Sequence, residues 1–437
     1  MSAEKEQVKV IKGKRLIDGN GGEPIQNAIM VIEGQRIKEV GSEGKVSVPA
    51  GAEVIDMGDC ILMPGLIDCM MNGTAIGEEF VKNRRVAAHE VPPQLQELYG
   101  LFHCQVCFES GFTTLMDTRS HGSMYGVPHT AEMVAVRDAI NNGLFAGPRI
   151  LAGGIATITN AHLTWPRSYV KVDPETTADG PWELRKMVRR QLRMQCDFIK
   201  TCASSGAGAH GEELNVKNMT QEETDAIVDE CHAFGKLCSC HCFTAESQKR
   251  VVKAGMDIIY HIVSTDDEAI AMIKEANTPV IPTLVHRTTK EIEYETRSGA
   301  SDDILNKRRI IHDECFDNFE KMYQAGVRIA MGTSHGLDSG TYEIELYVNH
   351  GMTPMEAIQT ATKSAAEAIW LGKDTGTLDV GKFADVIVVN GDPLADIRIL
   401  QDRQNIRMVM KEGTVYIDKR EGHEKSVIQN WNWKIVD

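Results

Sequence analysis

No stretch of this 437-residue sequence approaches the roughly 18 consecutive apolar residues of a membrane span. The opening MSAEKEQVKV is charged where a secretory leader would be apolar. Neither a membrane protein nor a secreted one is expected. Positive charge is also in deficit: 47 Lys and Arg against 62 Asp and Glu leave a net charge of −15 at pH 7. Such a chain has no electrostatic grip on nucleic acid or on an anionic membrane. The surplus carboxylates serve solubility and do not make the substrate a cation. The eleven cysteines follow no small-domain disulfide spacing, so reduced thiols and a cytoplasmic location are expected. Cys104 and Cys107 form a C-x-x-C with no second pair at zinc-ribbon distance. Repeats and low-complexity tracts are absent, and the glycines of SSGAGAHGEE match no phosphate-binding spacing.

What is present describes an ordinary globular protein, 42% hydrophobic and 25% charged. The length suits one large domain and a smaller one. Both ends are β-rich and punctuated by Gly, Asn and Asp turns: VKVIKGKRLIDGNG, AIMVIEGQRIKEVG and AEVIDMGDCILMPG near the start, ADVIVVNGDPL and IRMVMKEGTVYI near the finish. A small β-sandwich built from residues 1–62 and 377–437 is expected. Across 63–376, short apolar runs alternate with longer amphipathic ones. GFTTLMDT, PRILAGG, DFIKTCA, KLCSCHC, DIIYHIV, TPVIPTLV and VRIAMGTS read as strands. TQEETDAIVDECHAFG reads as a helix, with a capping Thr, Glu three residues on and a closing Gly. Alternation over this length implies parallel strands, and an α/β fold closed as a (β/α)8 TIM barrel. Function in such barrels gathers at the C-terminal ends of the strands, which directs attention to the last polar residue of each run.

Lys200 closes CDFIK, where alternation puts it on the same face as Phe198. A buried ammonium there is costly without a partner. His241 closes GKLCSCH and His261 follows AGMDIIY, one strand-helix unit later. Either alone would be an ordinary structural histidine; two on successive strands suggest metal ligands. Cys240 and Cys242 alternate away from His241 and should pack against helices.

Taken together, MPGLID, GFTTLMDT, GPRILAGG, DFIKTCASSG, the His241 and His261 strands, VIPTLV, MTPMEAIQTATKSAAEAIWLG and GTLDVGKFADVIVVNGDPLADI span nearly the whole chain. In them the sequence resembles the amidohydrolase superfamily, in the branch of imidazolonepropionase-like and Xaa-Pro or Xaa-Arg dipeptidase-like hydrolases. The resemblance implies that Lys200 is carboxylated by carbon dioxide to an anionic metal ligand, with His241 and His261 as its partners. It places a substrate-contacting histidine at His162. One divalent ion would sit there, zinc first, with iron, manganese or cobalt also fitting two imidazoles and a carbamate. A homo-oligomer acting on a small-molecule amide, cyclic amide or related C–N bond is implied too.

The sequence departs from that family at the other half of the site. The first-strand His-x-His is Met70-x-Asn72, and the eighth-strand aspartate is Ser334. These losses fall together, which suits a mononuclear site. A second ion would have only the neutral carbonyl of Asn72 or the soft thioether of Met70, since Cys69 alternates outward. Ser334 cannot act as a base, so His335 beside it is the candidate, along with His162. Asn72, Ser334, His162 and His210, the last in the glycine-rich loop, are expected to contact substrate. His103, Asp117 and His121 form a reserve of bases or ligands. Two other readings stay open: non-hydrolytic chemistry on the same metal (decarboxylation, elimination or isomerisation) and a non-catalytic binding protein.

Overall fold

The computed structural model describes residues 8–74, 91–118, 132–162, 177–208, 210–335 and 340–428. The N-terminal part contributes β1 (Val8–Leu16), β2 (Ile25–Glu33), β3 (Arg36–Ser42), β4 (Glu53–Asp56) and β5 (Ile61–Pro64). Seven strands follow: β6 (Leu66–Met71), β7 (Phe112–Asp117), β8 (Arg149–Ile155), β9 (Phe198–Cys202), β10 (Leu237–His241), β11 (Ile258–Tyr260) and β12 (Val280–Ile281). The chain ends with β13 (Val386–Val389), β14 (Ile406–Lys411) and β15 (Thr414–Asp418).

The two ends share one mixed sheet, ordered β15-β14-β13-β5-β1-β2-β3, with β4 also on β1. The antiparallel pair β5–β13, Leu62 opposite Val388, joins the halves. Apolar residues of both halves, among them Ile11, Leu16, Met30, Leu62, Val386 and Met408, form one buried cluster. Gly65 alone separates β5 from β6. A Cβ there would lie 2.1 Å from Thr113 Oγ1, so only glycine lets the sheet run into the barrel this closely.

Strands β6 to β12 run parallel, each beside the next. The eighth position is filled by Arg328–His335 with few bonds: Val280 N donates to Arg328 O (2.9 Å), Cys69 N to Met331 O (3.0 Å) and Asn72 N to His335 O (3.0 Å). The barrel is thereby nearly closed, as expected. Phe198, Leu237, Ile258, Tyr260 and Ile281 fill its interior with Met70 and Met116. Cys231, Cys238, Cys240 and Cys242 pack outside with Ile199, Ile227 and Val251. Helix Gln221–Ala233 carries the expected capping box between Thr220 and Glu223.

One strand is shorter than its sequence suggests. Within TPVIPTLV only Val280 and Ile281 pair as a strand. Prolines on both sides lack the N–H a ladder needs. Thr283 then takes φ +55 and the chain winds into a 3-10 turn, Leu284–Arg287. All eleven cysteines are free. Among the described residues no helix is long and apolar enough to cross a membrane.

Candidate active site

Strand alternation aims Phe198 and Lys200 of β9 inward, and β10 pairs Ser239 with Lys200. His241, one pleat higher, stands opposite Tyr260 of β11. His261 follows at once, at φ +61. The two imidazoles meet edge-on, their centroids 4.8 Å apart.

Each ring is fixed through one nitrogen. His241 Nε2–H donates to Ser205 O at 2.9 Å, which leaves the Nδ1 lone pair. Thr283 gives its hydroxyl proton to Pro282 O (2.7 Å), so at 2.6 Å its oxygen accepts from His261 Nδ1–H, and the Nε2 lone pair is left. Burial pushes both pKa values well below the usual histidine range; His162 adds to this at His241, and His241 at His261. Both rings are therefore neutral, the state in which histidine binds metal. Lys200, 4% exposed, has its Nζ 3.4 Å from Thr118 Oγ1 and 5.5 Å from the Tyr260 ring centroid. Two positioned imidazole lone pairs beside a buried lysine fit a divalent ion, provided the lysine becomes an oxygen donor.

The opposite wall is held by hydrogen bonds. Asn72 Nδ2 donates to Ser334 O and, at 3.2 Å, to Ser334 Oγ, while its Oδ1 lies 3.4 Å from Thr118 Oγ1. Met70 packs in the apolar interior and Cys69 Sγ faces Ala365 O outside it. Asp68 ties the first strand to the eighth: it accepts from Met70 N (2.8 Å) and Thr333 Oγ1 (2.8 Å). Burial lifts its pKa to about 6 in spite of those donors. Three non-glycine residues here, His261, Thr283 and Ser334, have positive φ. Such conformations cost about 1–3 kcal/mol each and persist where surrounding bonds impose them.

His162, just past β8, stacks on His241 with centroids 4.4 Å apart and planes 20° off parallel. Its Nδ1–H donates to Glu212 Oε1 at 2.7 Å, and Gly206 N donates to the same oxygen at 2.6 Å. His335 Nε2 lies 3.0 Å from Glu291 Oε2, and His286 Nδ1 lies 3.0 Å from Glu291 Oε1. His286 Nε2 is 2.9 Å from Ser334 O, and burial takes its pKa down to about 3. Glu343 holds the turn that carries His286 by accepting from Leu284 N (2.7 Å) and Val285 N (2.6 Å). Arg287, buried, lies 4.9 Å from the Phe243 ring centroid.

Other expected residues stand apart from this group. His210 is exposed on its loop, 3.6 Å from Asp303. His103 Nδ1–H donates to Gly73 O (2.6 Å), while Asp117 Oδ1 accepts from Gly73 N (2.6 Å), so the pair grips the chain after the first strand. Burial lowers the His103 pKa to about 4. Cys104 and Cys107 lie in the apolar core. His121 lies outside the described residues. Glu212, His286, Arg287, Glu291 and Glu343 were not foreseen. The last-polar-residue rule, carried past the second proline of TPVIPTLVHR, would have reached His286; the glutamates arrive from loops and helices without a local signal.

The family model described as the amidohydrolase family matches residues 61–416. Ochratoxinase of Aspergillus niger is 28% identical over 443 residues, covering 95% of this chain and 88% of that one. A solved Xaa-Pro dipeptidase with methionine bound in its active site superimposes with a TM-score of 0.84 at 30% identity, covering 94% of this chain and 100% of that one. The solved A. niger ochratoxinase gives 0.81 at 27% identity, over 95% and 96% of the two chains.

Proposed function

The chain belongs to the amidohydrolase family, and from that premise we propose that it hydrolyses an amide or related C–N bond of a small molecule, using one divalent metal held by His241, His261 and a carboxylated Lys200. One observation carries this reading: His241 Nδ1 and His261 Nε2 are both unprotonated and both left over after each ring's other nitrogen is bonded, beside Lys200. Carboxylation by carbon dioxide would turn the lysine into an anionic oxygen donor and remove the cost of a buried ammonium. The ion, zinc first, supplies Lewis acidity to the scissile carbonyl and lowers the pKa of water.

The remaining chemistry belongs to side chains. Of the two histidines expected to move protons, His162 is better placed: Glu212 fixes the proton on Nδ1, leaving Nε2 to take one from the attacking water and return it to the leaving nitrogen. Its stacking on His241 keeps that nitrogen at the site. Asn72 and Ser334 bind each other, so their contribution to substrate binding is to shape the wall, and His210 would reach substrate only from the rim. Free cysteines throughout support a cytoplasmic location.

The test combines metal analysis with a hydrolysis screen of Xaa-Pro dipeptides, ochratoxin and N-acyl amino acids. Lys200→Ala should lose the metal bound by this trio and the activity. Full activity in a folded Lys200→Ala protein would rule the site out.

A further inference from the structure

Three side chains that the Lys200 trio leaves unused converge where the turn after β12 meets the segment closing the barrel. His286 Nδ1, His335 Nε2 and the Glu291 carboxylate all lie within 4.8 Å of one another. Glu291 is 5% exposed and bridges the two rings, one carboxylate oxygen 3.0 Å from His286 Nδ1 and the other 3.0 Å from His335 Nε2.

The protons of His286 set the argument. Its Nε2 faces Ser334 O, which can only accept, so Nε2 carries the hydrogen. Its Nδ1 then presents a lone pair to Glu291 Oε1, which also only accepts, at 3.0 Å. Two acceptors do not rest at that distance without a proton or a metal cation between them. Arg308 reaches the pair only at its margin: its Nη1 donates to His286 O at 3.1 Å and lies 3.5 Å from His286 Nδ1, while its Nη2 stands 4.0 Å from Glu291 Oε1 and is bonded to Glu295 Oε1 at 2.6 Å.

We propose that His286 Nδ1, Glu291 and His335 Nε2 bind a divalent first-row metal ion at a second site, separate from Lys200, His241 and His261. Two imidazoles and one carboxylate are a donor set that zinc takes in catalytic sites, with positions left open for water or substrate. The ligands are held from behind as such sites require: Ser334 O fixes the His286 tautomer, and Glu343 anchors its turn through two backbone N–H groups. His335 acts there as a ligand, and proton transfer is left to His162. The inference goes beyond the proposed hydrolysis and does not depend on the state of Lys200.

The experiment is metal titration of chelator-treated protein with Zn(II) or Co(II) in bicarbonate buffer, read as metal per chain and as the visible bands of bound Co(II). Wild type should hold about two equivalents and Lys200→Ala about one, retaining Co(II) bands. Glu291→Gln and His335→Asn should each lose the equivalent that Lys200→Ala keeps. A wild type with one equivalent, unaffected by Lys200→Ala but abolished by Glu291→Gln, would support this site and sink the Lys200 one. Folded Glu291→Gln and His335→Asn proteins that bind as much metal as wild type overturn the proposal. Should both variants fail to fold, Lys200→Ala decides alone: no bound Co(II) overturns it.

Discussion

Replacing Gly206 with alanine should disable His162 without touching it. A Cβ at Gly206 would stand 2.3 Å from His162 Cε1, 2.4 Å from Nδ1 and 2.8 Å from Nε2. Carbon atoms in contact sit about 3.5 Å apart, so the ring must retreat by roughly 1 Å. Gly206 does not occupy the left-handed region, so alanine fits its backbone and the perturbation is steric. The displaced ring loses its stack on His241 and its bond to Glu212. That bond is largely buried, and its loss should cost about 1–3 kcal/mol of stability. A 1 Å misplacement of a proton-transfer group costs roughly 100-fold in rate. Initial rates on whichever C–N substrate the screen identifies, paired with thermal melts, separate the two effects. Gly208→Ala is the internal control, because its Cβ would meet His162 Cε1 at 3.6 Å, an ordinary contact, and activity should stay near wild type. A folded Gly206→Ala enzyme with full kcat/KM would refute the role given to His162.

Other perturbations read different parts of the site. Glu343→Ala leaves the buried N–H groups of Leu284 and Val285 without acceptors; it should cost about 1–3 kcal/mol in denaturant melts and reduce metal bound at His286. Asp68 has a folded pKa near 6 against an ordinary 3.8, so its contribution to stability is greatest below about 3.8 and is lost as pH rises through 6. Asp68→Asn should flatten that segment of the stability–pH curve, and an unchanged curve would show that the carboxyl is not buried as described. Phe198→Ala, emptying a fully buried position inside the barrel, should destabilise by about 3–5 kcal/mol, and a loss below 1 kcal/mol would contradict the packing there.

Local sequence determined a good deal of this protein. Period-2 alternation put Lys200 inside and Cys240 outside, and the Thr-x-x-Glu box began the helix at Gln221, because both depend on residues a few positions apart. The β-rich texture of the two ends implied a shared sheet, although the pairing of Leu62 with Val388 spans most of the chain. His241 and His261 were legible as neighbours because consecutive parallel strands lie side by side. Two prolines cut TPVIPTLV short and hid His286 behind a turn.

Tertiary structure alone decided which atoms are available. Whether His241 offers Nδ1 or Nε2 depends on Ser205 O, and for His261 the choice lies with Thr283, held at a φ no propensity would predict. Glu212 reaches His162 across 50 positions and Glu291 reaches His335 across 44. Proton positions and charge states are set by burial and by partners distant in sequence, so residue order carries no record of them. The sequence determined which groups arrive at the mouth of the barrel; the fold decided which of their nitrogens and oxygens face one another there.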